Sequence, residues 1–284
     1  MEHFYVITNA SKDTGLKTAG FVRDYLISQG KTCVVDAGIE NRTGESYTDI
    51  TRVSEDTDCV IVLGGDGTLL QAAADLGDRD IPFLGINLGT LGFLAEVNVS
   101  DIEEALDQLI RDDFLIEKRM MLLGKSYAGE EKLDETRALN DIVITRKGSL
   151  QIIYFNIYVN GQFLHRYHAD GIIVATPTGS TGYNLSAGGP VVEPKAGLIL
   201  SSPICPHSMQ NRSIVLSPDD TVTIEIEKSR DGSEQEVEAI FDGSHKVALR
   251  TGNKLIIKKS ERTTGIVKLS QMSFLEILHR KMSD

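Results

Sequence analysis

Only three cysteines occur in 284 residues, Cys33, Cys59 and Cys205, and none is spaced CxxC with another. Such a set builds neither a disulfide framework nor a zinc site, and it reads as small apolar core residues. Long apolar runs are missing too. No stretch approaches the roughly 18 residues that cross a bilayer, and the opening MEHFYVITNASKD lacks the charged region and apolar stretch of an export signal. A cytoplasmic chain with no membrane partner is therefore expected. Positive charge is scarce, with 29 Lys and Arg against 41 Asp and Glu and a formal net charge of −12. A nucleic-acid binder needs the opposite balance to neutralise phosphates, so no nucleic-acid partner is expected. Internal repeats and low-complexity linkers are absent as well.

What is present is ordinary globular composition, 41% hydrophobic and 25% charged, in a length that suits two domains. Residues 1–116 alternate strand-like and helix-like segments, which predicts an α/β domain with a parallel sheet. FYVITN (4–9), KTCVVD, the continuous apolar run DCVIVLGG (58–65) and IPFLGIN (81–87) read as strands. Leu16, Ala19, Val22 and Leu26 recur at helical spacing. Ser100 and Glu103 stand at capping-box spacing ahead of a helix that buries Ile102, Ala105, Leu106, Leu109 and Ile110.

From residue 117 to 262 the period shifts towards two, in ALNDIVITR, LQIIYFNIYV, TVTIEIE, EVEAIFD and NKLIIKK. This part is expected to be a β-rich, sandwich-like domain. Asn160-Gly161 predicts a tight hairpin, and a second hairpin is expected at Asp231-Gly232. Residues 263–284 form a tail, with amphipathic SFLEILHRK, expected to pack back on the core.

In an open parallel sheet, ligands bind beyond the carboxyl ends of the strands. GGDGTLLQAAADL starts at such an end, and Gly64, Gly65 and Gly67 there would bring bare N–H groups against an anion at the start of a helix near Thr68. This predicts a phosphate cradle of Gly64, Gly65, Gly67 and Thr68. No GxxxxGK[ST] loop occurs, and no Lys or Arg lies between Thr57 and Gly77. Neutralising a triphosphate would thus fall on backbone dipoles and a divalent cation, magnesium or manganese. Asp66 is discordant in an anion cradle. It can accept the proton of an attacking hydroxyl, hold a metal ion, or simply cap the following helix.

Two further segments are candidates. In GINLGTLGFLAEV, Asn87 either donates to a ligand or belongs to a structural turn. DGIIVATPTGSTGYNLSAGGP (170–190) crowds Thr176, Thr178, Ser180, Thr181, Tyr183, Asn184 and Ser186 into eleven residues. So many directional donors and acceptors suit ribose, adenine and phosphate groups. Asn140-Asp141 interrupts a strand pattern and marks a bulge, an edge or a site. His168 and His245 could ligate or titrate, but single histidines are more often ordinary surface or core residues.

GGDGT, GINLGTLGF, NDIVITR and the 170–190 segment occur in the order found in the bacterial NAD kinase family, which the chain resembles over nearly its whole length. GGDGT alone is shared with diacylglycerol kinases, sphingosine kinases and 6-phosphofructokinases. TPTGSTGYNLSAGGP singles out NAD kinases. The resemblance implies that Asp66 is the base that deprotonates the 2′-hydroxyl of the adenosine ribose of NAD, which then attacks the γ-phosphate of ATP. It further implies NAD contacts by Asp66, Gly67, Asn140, Asp141, His168 and Asp170, with Thr181, Gly182, Tyr183, Asn184, Leu185 and Ser186 holding the adenosine and amide ends. The metal would be held mainly by the ATP phosphates, and the chain would form a homodimer or homotetramer. The position two before Asp170, often Arg in the family, is His168 here, so an anchoring charge is expected to be missing at pH 7. A GGDGT-type lipid kinase and a non-catalytic nucleotide sensor stand as alternatives.

Overall fold

The computed structural model describes residues 1–36, 48, 50–89, 92–95, 97–148, 152–207, 212–269 and 272–283. Thr90 and Leu91 of the second glycine segment therefore lie outside the described residues. The chain divides into two compact units, Met1–Arg119 with Thr264–Asp284, and Met120–Thr263.

The first unit contains β1 (His3–Thr8), α1 (Lys17–Ser28), β2 (Thr32–Asp36), β3 (Cys59–Gly64), α2 (Asp66–Asp75), β4 (Phe83–Asn87), β5 (Val97–Asn98) and α3 (Ile102–Ile110). Its strands are parallel in the order β2-β1-β3-β4, with β5 beside β4. All six residues of β3 and all five of β4 are buried, as an apolar run covered on both faces requires. Ala19, Val22 and Leu26 of α1 and Ile102, Ala105, Leu106 and Leu109 of α3 join the strands in one core.

The predicted capping box does not form. A 3₁₀ turn over Val99–Asp101 precedes α3, and the Ser100 hydroxyl bonds the Asp101 carboxylate at 2.8 Å rather than the helix backbone. Ser100 lies inside that turn, and the residue at the N-cap of α3 is Asp101, so the Ser100 hydroxyl is not at the cap position.

The second unit holds β6 (Leu115–Ala128, from Met120 onward), β7 (Glu131–Ala138), β8 (Asp141–Arg146), β9 (Ile153–Val159), β10 (Gln162–Ala169), β11 (Gly171–Ala175), α4 (Tyr183–Ser186), β12 (Ile199–Ile204), β13 (Ile214–Leu216), β14 (Val222–Ile226), β15 (Glu236–Phe241), β16 (His245–Arg250) and β17 (Asn253–Lys268, to residue 263). One antiparallel sheet runs β10-β9-β14-β17, with β6 on β17 and β7 on β6; the other runs β13-β12-β11-β8-β15-β16. Phe155, Ile157, Ile224 and Leu255 of the first sheet and Ile142, Ile144, Ile172, Val174 and Phe241 of the second share one buried cluster, so the unit is a sandwich.

The β9–β10 hairpin turns at Asn160 and Gly161 with φ of 52° and 77°, the doubly positive pair that the sequence predicts. Asp231-Gly232 does not make a hairpin. Its turn is tied by Ser229 and Ser233 to Asp231, but it connects β14 in one sheet to β15 in the other. Turn chemistry alone does not say where the next strand pairs. The tail continues from β17 into α5 (Phe274–Ser283) and counts with the first unit; Phe274 lies 6.0 Å from Phe93 between ring centroids, and Ile277 is buried.

Phe155 is fully buried and stacks on Tyr167 at 5.6 Å. Phe155→Ala should therefore lower unfolding free energy by about 3–5 kcal/mol, read as an earlier urea transition by circular dichroism.

Candidate active site

In the first unit the turns after β1, β3 and β4 lie at the carboxyl ends of adjacent strands. β3 ends at Gly64, and α2 begins at Asp66 with Gly65 as its extended N-cap residue. Asp66 does not cap its own helix. Its carboxylate instead accepts the backbone N–H groups of Phe93 at 2.7 Å, Leu94 at 3.0 Å and Ala95 at 3.1 Å. This fastens the loop after β4 to the start of α2. Gly92 must be glycine for that contact, because a methyl group on it would land on the Asp66 carboxylate. Asn87 is 3% exposed, and its side chain both accepts from the Gly89 N–H at 2.9 Å and donates to the Gly89 carbonyl at 3.1 Å. It shapes its own turn, so any ligand there meets the backbone it holds.

The cradle does have a cation, contrary to the expectation from residues 57–77. Lys12 follows β1, and its ammonium lies 3.7 Å from where a methyl on Gly65 would sit and 3.9 Å from one on Gly89. Local spacing could not reveal this, since Lys12 is more than fifty residues upstream. The usable signal is topological: turns after neighbouring parallel strands converge.

In the second unit, Asn140 and Asp141 stand at the start of β8. The Thr176 N–H donates to the Asn140 carbonyl at 2.8 Å, and its hydroxyl donates to the Leu139 carbonyl at 2.6 Å and accepts from the Gly179 N–H at 3.0 Å. A methyl on Gly179 would collide with the Asn140 backbone, 2.8 Å from its Cα. One on Gly182 would sit 3.3 Å from Asn140 Nδ2 and 3.7 Å from Asp141 Oδ2. Asn140, Asp141, Thr181 and Gly182 are thereby gathered in one place. Asn140 Oδ1 is buried there without a hydrogen-bond partner among the described residues, a cost of about 1–3 kcal/mol unless a donor arrives. Tyr183 and Leu185, 48% and 44% exposed, and exposed Ser186 project from α4.

Asn184 behaves differently. It is fully buried, donates to the Ser180 and Pro190 carbonyls at 3.3 and 3.1 Å, and accepts from the Ser202 hydroxyl at 2.6 Å. Its amide is committed to holding the loop together.

His168 and Asp170 are not brought to Asn140 and Asp141. Gly171 pairs with Thr145 and Ala175 with Asp141, so Asp170 lies at the far end of β8, about 17 Å away at 3.3–3.4 Å per residue. There its carboxylate pairs with Arg146 at 3.0 Å. His168 stacks against Tyr154 at 4.5 Å. Desolvation and the nearby positive charge of Arg166 hold its imidazole below the usual range, which favours the neutral form.

Residues 5–114 match the family described as the ATP-NAD kinase N-terminal domain, and residues 139–269 match the ATP-NAD kinase C-terminal domain. The chain belongs to the NAD kinase family. It is 47% identical to the NAD kinase of Lachnospira eligens over 99% of this chain and 100% of that protein. It is 44% identical to that of Lachnoclostridium phytofermentans over the full length of both. Among solved structures, yeast NADH kinase complexed with NADH superposes with a TM-score of 0.85 at 25% identity, covering 100% of this chain and 88% of that one. An NAD kinase from Archaeoglobus fulgidus in complex with ATP gives 0.79 at 25% identity, with 99% of each chain covered. Both family segments contain the candidate residues, Asp66 in the first and 140–186 in the second.

Asp242 is a residue of this NAD kinase-family fold that the sequence reading missed. It sits at φ +46° with Gly243 in the β15–β16 turn, and Asp-Gly between two strands was the available signal. Its half-buried carboxylate accepts the N–H groups of Leu139, Asn140 and Asp141 at 2.7, 2.8 and 3.1 Å. Burial pushes Asp242 up to about 6 against those three bonds. Burial, with the charge of Asp242 added, pushes Asp141 up to about 7. The three donors keep the charge on Asp242, and Asp141 carries the proton.

The sign follows from linkage. The folded state binds Asp141's proton more tightly than the unfolded chain, so this stabilisation is complete below about pH 4 and is lost as pH rises through about 7. Asp141→Asn should accordingly raise Tm by a few degrees more at pH 8 than at pH 5. An equal shift at both pH values, by scanning calorimetry, would contradict the assignment.

Proposed function

We propose that this chain is an ATP-dependent NAD kinase that phosphorylates the 2′-hydroxyl of the adenosine ribose of NAD to give NADP. The observation that carries the reading is the seat of Asp66. A carboxylate offers about four lone-pair positions. Three accept the N–H groups of residues 93–95, which fixes the group in orientation and leaves a position for a hydroxyl proton.

In the proposed reaction Asp66 accepts the 2′-hydroxyl proton as the oxygen attacks the γ-phosphorus. The bond to the β-phosphate bridging oxygen breaks in line, and ADP leaves with that electron pair. Gly64, Gly65 and Gly67 present backbone N–H groups and the α2 N-terminus to the phosphates, and Thr68, whose N–H donates to the Gly65 carbonyl at 3.0 Å, offers its hydroxyl. Gly67 also lies open beside Asp66, with nothing within 4 Å of a methyl placed on it.

On the dinucleotide side, Asn140 Oδ1 supplies an acceptor that lacks a donor. Asp141, protonated, can donate, and exposed Tyr183, Leu185 and Ser186 offer contact area beside Thr181 and Gly182. Asn184 acts by holding this loop. Asp170 and His168, at the other end of β8, would reach a dinucleotide in its extended form or in a second copy of the chain, consistent with a homodimer or homotetramer.

Among the described residues no group of three His, Cys, Asp or Glu could hold a metal ion. Magnesium or manganese would be held mainly by the ATP phosphates, arriving as part of the substrate and spreading their charge. The full-length relatives are NAD kinases, which gives the lipid-kinase alternative no support; a cytoplasmic location fits the substrates.

Purified protein given NAD, ATP and magnesium should form NADP, and excess chelator should stop it. Asp66→Asn should lower kcat at least about 100-fold while NAD binding by calorimetry persists. NADP formation at the unsubstituted rate by Asp66→Asn would refute the role of Asp66.

A further inference from the structure

We infer that Lys12 binds the polyphosphate of the nucleotide donor at the glycine cradle, a role that rests on the kinase reading above. Its placement is built, not incidental. The Asn9 N–H donates to the Leu63 carbonyl at 2.9 Å, extending the β1–β3 ladder by one residue, and the Asn9 carbonyl accepts the N–H groups of Lys12 and Asp13, each at 2.9 Å. Asn9 Nδ2 reaches the Thr68 hydroxyl at 3.5 Å, and Asn9 Oδ1 accepts from the Ser11 hydroxyl at 2.6 Å. Asp13 closes the turn from the other side. Only 2% exposed, it accepts from the Thr18 and Ala19 N–H groups at 2.9 and 3.0 Å and from the Thr8 hydroxyl at 3.1 Å.

Between buried Asp13 and exposed Ser11, the side chain of Lys12 is left to extend along the strand ends. Its ammonium stops within 4 Å of the methyl positions of both Gly65 and Gly89. It is therefore poised over two turns whose backbone is bare for want of side chains. Lys12 has no ion pair among the described residues, and what sets it apart from other lysines is its place over two glycine turns. An unpaired ammonium beside a helix N-terminus and an extended Gly65 is the donor set that a phosphate chain lacks elsewhere in residues 57–77. The carboxylate of Asp66 faces the 93–95 N–H groups, so it is not spent on Lys12.

The ligand class is a nucleoside polyphosphate, recognised through its phosphates and not its base. Because Lys12 is exposed, removing it should not disturb folding.

Lys12→Met should raise the Kd for ATP, titrated by calorimetry with magnesium, and the KM for ATP by about 10- to 100-fold, the loss expected of a hydrogen bond to a charged group. The KM for NAD should stay within about twofold, and Tm should not move. Lys12→Arg should recover most of the ATP affinity. Inorganic tripolyphosphate should compete with ATP for the unsubstituted protein and lose its grip on Lys12→Met by a similar factor. An unchanged ATP affinity in Lys12→Met, or an equal loss for NAD, would overturn the inference. If the unsubstituted protein binds ATP yet makes no NADP, the kinase reading fails while the affinity ratio still decides the case for Lys12. If it binds no ATP, both fall.

Discussion

A carboxylate that collects three backbone N–H groups is the interaction on which the candidate residues of each unit depend. Asp66 does this for residues 93–95, and Asp242 does it for residues 139–141. In each case a loop without regular hydrogen bonding of its own is fixed by one side chain from another turn. Charge-assisted bonds of this kind are roughly twice as strong as neutral ones, and three on one group leave little freedom. The loops that carry function can thus be irregular yet held.

The glycines follow from the same constraint. Gly92 is needed because the Asp66 carboxylate occupies the space of a side chain, and Gly179 because the Asn140 backbone does. Neither residue has a positive φ, so what they supply is closeness rather than unusual backbone geometry. The two anchoring carboxylates differ in setting. Asp66 is partly exposed at a helix N-terminus, where negative charge is favoured. Asp242 is half-buried, and its charge helps set the protonation of Asp141 beside it. Three N–H donors make Asp242 the member that ionises first, which frees Asp141 to donate.

Much of the fold was legible because period and punctuation agree in it. The buried strands β3 and β4 read as unbroken apolar runs, α1 and α3 as helical stripes, and Asn160-Gly161 as a hairpin, each dictated by residues close in sequence. Asp66 stood out as a charge in the wrong surroundings. What stayed hidden was non-local. Asp231-Gly232 turns the chain between sheets, and nothing near it says so. Asn184 looked like one more polar group on a ligand loop, but Ser202, eighteen residues on, takes its carbonyl inward. The separation of Asp170 from Asp141 needed the β8–β11 register, and Asp242 needed a hairpin from another part of the sheet.

Lys12 shows how bulk charge misleads about a site. The net charge of −12 argues against a surface that attracts extended polyanions. Yet Debye screening confines the influence of exposed charges to about 8–10 Å at physiological ionic strength, so a cradle senses its immediate groups rather than the chain average. Those groups are the first N–H donors of α2 and one unpaired ammonium. A glycine-rich turn can lack a lysine of its own, as this one does, provided a neighbouring strand end delivers one in space. The parallel order β1-β3-β4 does so, because it sets the turn after β1 beside the turn after β3. The topology of the sheet, and not the motif, completes the electrostatics of the cradle.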